Sequence, residues 1–577
     1  MSLNDRRPRR GISRRAVLAG GAASVVMGWV PIFRATAASG ATASAPANFP
    51  SSIDVYQQAY QNWAGMIVIE DVWTCAPTSA SDVVTLANWA YANGYRLRAK
   101  GMSHNWSPIV LPSGNTGAGY VLVDTTQYLT SVTIGSGNFT AQTGVTMDSL
   151  TSTIAAAGYG FAAIPAPGDI TLGGALAIDA HGSAIPATGE TRLTGQTYGS
   201  LSNLILSLTA VVWSSSAGAY VLRTFQRDDP DIRAFLVHLG RAFITSVTMQ
   251  VAASQNLQCQ SWVDISAADL FAAPSSAGSS SLASYIDSAG RVEAIWFPFT
   301  DTPWLKVWSI QPSQPLGSIE VTSPYNYSFT NEVTTAENTF FDEVVEGDTS
   351  GTPAFEDAAI ALADLGLVFT GTWDLWGQWQ NTLLYVKPTT VRIVEAGFAV
   401  LTSRANIQQV VSDFYARYVS TLNTFAAAGE YPMNGPIEIR VTGLDQTSDS
   451  EASGAYSPIL SAVRPRPDQP SWDVAVWLDM GTLPVTPSFS AFYAEMESWI
   501  WSHYTGSYAT VRPEWSKAWA CTSSAPWTNS TILSSTVPAA VSAGQASDDG
   551  WSTAGSLLTG YDPHAVFSNP FLDTLFG

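Results

Sequence analysis

Two loops rich in glycine and small side chains carry the residue types best suited to chemistry in this chain. One spans residues 98–108 and the other spans residues 165–183. Small residues allow main-chain N–H groups to converge on an anion, and a helix that begins near Gly173 would add its dipole to bind a pyrophosphate. Either loop alone is also compatible with a tight structural turn.

His104 in the first loop is a candidate for covalent chemistry. A neutral imidazole is a competent nucleophile near physiological pH. An isolated loop histidine is more often a hydrogen-bonded structural residue. His181 in the second loop is better suited to holding a cofactor than to reacting, and we assign structural roles to His238, His503 and His564.

Glu438 and Arg440 are the clearest charged pair in the second half of the chain. The segment 436–441 alternates like a strand, so the two side chains share one face. The ordinary explanation for such a pair is an exposed ion pair. The alternative is a charged face directed into an apolar site.

The elements that would position these residues alternate between short helices and strands. Apolar spacing predicts a helix capped by Ser81 and ended by Gly94, followed by a strand over 95–100. Further strands are expected near 121–123, 131–134 and 139–143, and a second helix over 147–157. The pattern is typical of the α+β class.

Several common chemistries lack support in the sequence. The string Gly158–Ala163 has the spacing G-x-G-x-x-A, but it follows a predicted helix, which argues against a Rossmann dinucleotide site. No P-loop or nucleophile elbow occurs. The three cysteines and five histidines show no metal-ligand spacing, so we expect no metal centre and at most one disulfide.

The first 45 residues resemble a twin-arginine export signal. A run of arginines precedes an apolar stretch rich in Gly, Ala and Val, and sites of the A-x-A kind follow at 35–37 and 43–45. The alternative is an uncleaved membrane anchor. No later segment is long and apolar enough to span a bilayer. The sequence therefore predicts secretion of the mature chain.

The charge of the chain limits its partners. The signal holds seven of the 26 basic and one of the 46 acidic side chains, so its removal changes the net charge from −20 to about −26. An acidic surface repels nucleic acid and anionic lipid. We therefore expect no nucleic-acid partner and a neutral or cationic substrate.

The middle of the chain differs in composition from the rest. A Ser/Ala/Gly-rich connector over 274–284 precedes a region rich in Trp, Tyr and Phe, which suits a deep apolar pocket in a second domain. Trp373, Trp376 and Trp379 recur at i+3 spacing. We interpret this stripe as ordinary helix packing rather than ligand contact.

The two loops, in this order, resemble the FAD-binding domain of the vanillyl-alcohol-oxidase superfamily. The resemblance continues at 200–204, 238–245, 512–517 and 561–571. It implies a two-domain α+β flavoenzyme whose FAD-binding domain is formed by both ends of the chain around a mixed-sheet substrate domain. The implied boundaries are a signal over 1–45, FAD-binding residues 46–256, substrate-binding residues 257–505 and a returning segment over 506–577.

The resemblance also implies which residues contact FAD. It places His104 where some members attach the flavin covalently. The implied cofactor-binding residues are Lys100, Gly101, Met102, Ser103, His104, Asn105, Trp106, Pro167, Gly168, Asp169, Thr171, Leu172, Gly173, Gly174, His181, Gly182, Ser183, Gly240, Arg241, Phe243 and Ile244.

In detail the chain is most similar to covalent-flavin (type II) cholesterol oxidases. The similarity implies oxidation of a sterol 3β-hydroxyl by dioxygen, with release of peroxide and transfer of the ring double bond by Glu293 or Glu438. The implied catalytic residues are Glu438, Arg440, Glu293, Glu395 and Lys517.

Lys517 would be the cation near the pyrimidine edge of the flavin, although a surface lysine is the alternative.

Two alternatives to this function remain open. One is a sugar-alcohol or aldonolactone oxidase of the same fold. The other is an exported binding protein without flavin. We expect no membrane span in the mature chain, and a sterol substrate implies transient contact with sterol-bearing membranes.

Overall fold

The computed structural model describes residues 44–327, 329, 335–385 and 392–577. The export signal expected over 1–45 therefore lies almost entirely outside the described residues. The described strands are β1 (Asp54–Gln61), β2 (Val68–Ala76), β3 (Arg96–Lys100), β4 (Tyr120–Asp124), β5 (Val132–Ile134), β6 (Asn138–Gln142), β7 (Tyr159–Gly160), β8 (Ile205–Ser214), β9 (Ala219–Gln226), β10 (Phe243–Gln250), β11 (Ala252–Ala253), β12 (Asn256–Trp262), β13 (Arg291–Trp296), β14 (Trp304–Ile310), β15 (Ile319–Val321), β16 (Asp374–Gln378), β17 (Val394–Thr402), β18 (Ile437–Gly443), β19 (Val474–Thr482) and β20 (Thr510–Pro513).

The helices lie between these strands and after the last of them. The described α-helices are α1 (Ala80–Asn93), α2 (Met147–Ala156), α3 (Leu172–Ala177), α4 (Ala267–Leu270), α5 (Leu282–Ala289), α6 (Thr335–Val345), α7 (Thr352–Thr370), α8 (Trp379–Leu383), α9 (Ile407–Ala427), α10 (Phe489–His503), α11 (Val537–Ser542), α12 (Trp551–Tyr561) and α13 (Pro570–Phe576).

The first helix shows how local sequence sets the boundaries. Ser79, not Ser81, caps α1: its hydroxyl accepts the Asp82 N–H, and the Asp82 carboxylate accepts the Ser79 N–H. The prediction of Ser81 missed this capping box because Asp82 supports a cap three residues earlier. Gly94 ends the helix at φ 72°, as expected.

The described N-terminal half contains two larger sheets and a small antiparallel pair of β7 with β11. One larger sheet has the order β1-β2-β4-β3, with β4 parallel to both of its neighbours. The other has the order β5-β6-β10-β8-β9 and is antiparallel. Helix α1 packs near β3, β8 and β9 and thereby spans both sheets. The predicted α+β class is confirmed.

The C-terminal half is built on one large mixed sheet. Its order is β15-β16-β12-β14-β13-β18-β19-β17-β20, and among these described strands only the β15–β16 pair is parallel. Helices α9 and α10 pack against each other, and α9 also contacts β19. Strands β17 and β19 are buried along their whole length. A charged side chain at the centre of this sheet is consequently held away from solvent.

The C-terminal segment contacts both halves of the fold. Strand β20 extends the large sheet by pairing with β17. Further on, the Val566 carbonyl accepts the Leu97 N–H, and Asp562 pairs with Arg241 at 2.5 Å. The N-terminal half is thus tied to the end of the chain.

The tryptophan stripe does not form a helix, and that prediction is wrong. Trp376 lies in β16 opposite Gln258 of β12, Trp373 precedes this strand and is exposed, and Trp379 begins the short helix α8. An i+3 spacing over seven residues cannot distinguish the two structures, and pairing with β12 decides the outcome. Among the described residues, no helix meets the length and hydropathy needed to cross a membrane.

Candidate active site

A cavity of about 630 Å³ lies between the two small-residue loops and the large sheet. This volume is in the usual range for cofactor and ligand sites. Loops 98–108 and 165–183 form one wall. The other wall comes from β13, β17 and β18, from α7 and from the segment after β20.

The first loop is fixed from beneath by Arg98. This buried guanidinium donates to the carbonyl oxygens of Ile109, Val110, Gly240 and Phe567. Ser103, next to His104, is in the left-handed region at φ 58°. A non-glycine residue is uncommon there, and such strain is concentrated at functional sites.

The second loop leads into α3, whose N-terminus faces the first loop. Thr171 caps α3 by accepting the Gly174 N–H at 3.3 Å. A Cβ on Gly101 would lie 2.4 Å from the Thr171 hydroxyl oxygen, and one on Gly173 would lie 2.8 Å from Thr143 Cβ. Neither position therefore has room for a side chain. The N–H groups of Leu172, Gly173 and Gly174 are already bonded within the protein, to the Val145 and Thr143 carbonyl oxygens and the Thr171 hydroxyl.

Most of the predicted cofactor-binding residues line this cavity. They are Lys100, Gly101, Met102, Ser103, His104, Asn105, Trp106, Pro167, Asp169, Thr171, Gly173, Gly174, His181, Gly240 and Ile244.

Six others do not line the cavity, and their contact with FAD stays a prediction. They are Gly168, Leu172, Gly182, Ser183, Arg241 and Phe243. Leu172 is in the hydrophobic core, and Arg241 is engaged by Asp562. Phe243 packs on Phe567. Leu172, Arg241 and Phe243 thus pack within the protein, which a linear resemblance cannot distinguish from contact with a cofactor.

His104 is held in an aromatic setting. Its ring stacks on Trp63 with centroids 3.8 Å apart and meets Trp106 edge-on at 5.8 Å. Its Nδ1 atom is buried and has no hydrogen-bond partner. Burial lowers the pKa of His104 to about 4, with additional effects from Arg392 and Lys517. The imidazole is therefore neutral at physiological pH.

His181 lies deeper in the cavity wall. It stacks on Trp477 at 3.7 Å, and its Nδ1 lies 3.0 Å from the Gly182 carbonyl oxygen. Because a carbonyl only accepts, Nδ1 carries the hydrogen and Nε2 carries a lone pair. Nε2 lies 3.8 Å from a Glu514 oxygen. Burial lowers the pKa of His181 to about 3, so it too is neutral.

Glu438 and Arg440 lie side by side on β18, as the alternation predicted. Their side chains form an ion pair at 3.6 Å and line the cavity. Arg440 is opposite Glu293 of β13 in register, and Glu438 is opposite Asp479 of β19. Arg440 also bonds directly to Asp479. The explanation as an exposed surface pair is therefore wrong.

Lys517 is buried in the same cluster, so the surface-lysine alternative is also wrong. Its ammonium lies 2.7 Å from Glu395, 3.1 Å from Asp479 and 3.8 Å from Glu514. Burial favours the neutral amine, but Asp479 and Glu395 outweigh it and raise the pKa of Lys517. The cavity wall therefore carries a permanent ammonium.

The two other predicted carboxyl groups are in the same cavity. Glu293 and Glu395 both line it, on β13 and β17 respectively. Burial raises the pKa of both groups, and the neighbouring Glu438 adds to the effect. A carboxyl group with a raised pKa can take up or release a proton closer to neutral pH.

Several residues of the site were not identified from the sequence. Asp479 is a lone carboxylate in a fully buried strand, which is a usable signal. Glu514 has the i, i+3 spacing to Lys517. Lys306, Glu356 and His238 also line the cavity, but nothing in their local pattern distinguishes them. His238, expected to be structural, has a buried Nδ1 without a partner.

The remaining wall is apolar and aromatic, as the composition of the middle region indicated. It includes Ile295, Phe297, Trp304, Phe341 and Phe355. None of the three tryptophans of the stripe lines it. In the described part of the chain, no cluster of three or more His, Cys, Asp or Glu side chains is arranged to hold a metal, and all three cysteines are free and buried.

These features fit a flavin nucleotide. The small-residue loops line the cavity and leave room for a pyrophosphate, whereas the expected contribution of free N–H groups at the start of α3 is not observed. Lys517 supplies positive charge beside the cavity. The unpaired Nδ1 atoms of His104 and His238 are further polar groups that lack a partner within the protein. A buried polar atom without a partner is unusual and indicates a ligand contact or a special role.

The chain matches two family models. Residues 73–215 match an FAD-binding domain, and residues 256–577 match the substrate-binding domain of cholesterol oxidase. No curated protein matches the chain in a sequence comparison.

Solved structures agree with the family models. A solvent-stable cholesterol oxidase is 52% identical, with a TM-score of 0.91 over 92% of this chain and 100% of that chain. The cholesterol oxidase from Brevibacterium sterolicum and its histidine-to-alanine mutant are each 41% identical, with TM-scores of 0.91 over 93% of this chain and 100% of theirs. The chain therefore belongs to the cholesterol oxidase family that combines an FAD-binding domain with this substrate-binding domain.

Proposed function

We propose that this protein oxidises the 3β-hydroxyl group of cholesterol or a related sterol with FAD and dioxygen, releases hydrogen peroxide and moves the ring double bond to give the 4-en-3-one. One observation carries the proposal. A cluster of buried ionisable groups, an apolar aromatic wall and the small-residue loops that suit a nucleotide all line the same cavity. An apolar sterol would place its ring system against the apolar wall and its single hydroxyl group near the ionisable groups.

FAD would be held by the loops around His104 and Gly174 and by the segment near Gly240. When bound, FAD supplies the hydride acceptor for the carbinol carbon and the route of electrons to dioxygen. The neutral, stacked imidazole of His104 supports a covalent attachment through this side chain, because a lone pair is free for bond formation.

The charged cluster would handle the proton of the hydroxyl group. Glu395 and Glu293 have raised pKa values through burial and are the best candidates for accepting it. Arg440 would stabilise negative charge that develops on the oxygen. Lys517 would oppose the charge that accumulates on reduction.

Double-bond transfer needs one carboxyl group that removes a proton from the ring and returns it elsewhere. Glu293 and Glu438 are the candidates, since both line the cavity next to Arg440. The raised pKa of Glu293 suits this exchange better than an exposed carboxylate would.

The start of the sequence and one exposed apolar surface bear on where the protein would act. The arginine-rich start of the sequence supports export of the folded enzyme through a twin-arginine pathway. Helix α7 lines the cavity with Phe355 and Ala359 and exposes Leu365, Val368 and Phe369 at its other end. This apolar end would contact a sterol-bearing membrane transiently.

Peroxide release across matched substrates tests the function. Cholesterol and a sterol with an oxidised C3 should be compared with a sugar alcohol and an aldonolactone. Only the sterol with a free 3β-hydroxyl should yield peroxide, because the apolar wall offers few partners for a polyol. Peroxide from the polyols alone would assign the protein to the sugar-alcohol branch. Protein that is purified without any yellow colour, and that binds no added FAD, would support a flavin-free binding protein.

A further inference from the structure

Two buried carboxyl groups in the cluster, Asp479 and Glu514, face one another. Asp479 Oδ1 and Glu514 Oε2 are both buried, and neither accepts a hydrogen bond from a neighbouring donor group. Both oxygens approach the same point in space. A Cβ placed on Gly397 would lie 2.6 Å from the first and 2.9 Å from the second.

The sheet register explains why these groups meet. Gly397 of β17 is directly opposite Asp479 of β19, so a larger residue would occupy the space that the two carboxyl groups share. The Gly397 carbonyl also accepts the Glu514 N–H at 3.0 Å. The backbone thus holds Glu514 over the one position in β17 that has no side chain.

The two remaining oxygens have different environments. Asp479 Oδ2 bonds to Arg440 and lies 3.1 Å from the Lys517 ammonium. Glu514 Oε1 lies 3.8 Å from Lys517 and 3.8 Å from the unprotonated Nε2 of His181. The cations therefore favour the negative charge on Asp479, whereas a negative charge on Glu514 would face the lone pair of His181.

We infer that Glu514 is protonated and donates a hydrogen bond to the Asp479 carboxylate, so that the pair carries one negative charge. Glu514 is then a positioning residue of the reaction centre. The shared proton gives both unpartnered oxygens a partner. It also fixes Asp479 toward Arg440 and Lys517. The role in the reaction rests on the function proposed above, whereas the protonation state does not.

The directions of the pKa shifts of Glu514 and Asp479 agree with this arrangement. Burial and the nearby Asp479 raise the pKa of Glu514 well above its usual range. Burial opposes ionisation of Asp479, but Lys517 and Arg440 outweigh it and lower the pKa of Asp479. The other charged groups around the pair are Glu395 on β17, Glu438 on β18 and, across that strand, Glu293 on β13. They add negative charge and further favour retention of the proton.

Infrared spectroscopy of the holoenzyme tests the protonation state directly. At neutral pH the wild-type minus Glu514→Gln difference spectrum should contain the C=O stretching band of a protonated carboxylic acid, shifted in D₂O. Asp479→Asn should remove the same band, because the Asn amide would donate to an ionised Glu514. Glu495→Gln, which removes an exposed carboxylate paired with Arg417, is the control and should leave the band in place.

A double-mutant cycle tests the role in the reaction. Each single amide variant keeps one negative charge and one donor between the two side chains, so kcat should fall by at most about tenfold. The double variant leaves no negative charge there and should lose roughly 100- to 1,000-fold, well beyond the product of the single effects. Circular dichroism checks that each variant is folded.

Two results would overturn the inference. One is that neither substitution removes an acid band, so that the band is absent from the wild-type minus Glu514→Gln and the wild-type minus Asp479→Asn difference spectra. The other is a cycle whose double variant shows only the product of the single losses. Failure of the proposed function would appear differently, as wild-type protein that does not oxidise sterols while the band is still present.

Discussion

Replacing Lys517 by Met removes the ammonium from the centre of the charged cluster while keeping the length of the side chain. The Lys517 side chain is only 6% exposed and lies between Glu395 and Asp479. Solvent screening is therefore weak, and the loss of charge acts directly on the cavity. Removing one partner of a buried ion pair typically destabilises a protein by about 3–5 kcal/mol, so thermal unfolding should be measured alongside activity.

The effect on the reaction follows from Coulomb's law. A cation about 4 Å from a developing negative charge contributes about 4 kcal/mol at an effective dielectric constant near 20. Glu395, whose pKa is already raised by burial, would take up a proton in the variant and offset part of this loss. A net increase of about 1.4–2.7 kcal/mol in the barrier, roughly 10- to 100-fold in rate, is the expected result.

Anaerobic rapid mixing separates the reduction rate from substrate binding. In Lys517→Met the rate constant for bleaching of the flavin by sterol should fall by that factor, whereas the dissociation constant for the neutral sterol should change less than about threefold. Lys517→Arg retains the charge and should recover much of the rate. An unchanged reduction rate, or a loss entirely in sterol binding, would refute the assigned role.

Three further outcomes are expected. Acid-denatured wild-type protein should keep its yellow colour, and His104→Ala should release FAD on denaturation; colour retained by the denatured variant would move the linkage to another residue. Arg241→Ala breaks a buried pair with Asp562 and should lower the free energy of unfolding by about 3–5 kcal/mol, whereas Arg96→Ala, at an exposed pair, should cost less than about 1 kcal/mol in denaturant titrations. Burial raises the pKa of Glu497 to about 7, so its stabilising neutral form is fully present below its unfolded pKa and is lost as the pH rises through 7. Unfolding measured between pH 5 and 8 should therefore depend less on pH in Glu497→Gln, and an identical dependence in both proteins would contradict the assignment.

The loops could be predicted from the sequence because their function depends on local composition. A side chain at Gly101 or Gly173 would overlap Thr171 or Thr143, and the sequence shows the glycine directly. Strand β18 was likewise predictable, since the alternation of Glu438 and Arg440 determines which face they share. Its burial was not, because neighbouring strands from distant parts of the chain cover it.

The residues of the charged cluster that the sequence did not identify were missed for the same reason. Asp479 meets Glu438 and Gly397 only through the register of β17, β18 and β19, which no local pattern encodes. The tryptophan stripe failed for a related reason, because pairing with β12 outweighed a short helical period. Predictions from spacing succeeded within one element and failed where long-range strand pairing decided the structure.

Anaerobic single turnover with cholesterol tests the central claim most directly. Purified protein is mixed with one equivalent of cholesterol without oxygen, the flavin absorbance is followed, and the steroid product is identified. The proposed function predicts complete bleaching with formation of the conjugated 4-en-3-one. Flavin that stays oxidised with cholesterol but is bleached by a sugar alcohol would contradict it.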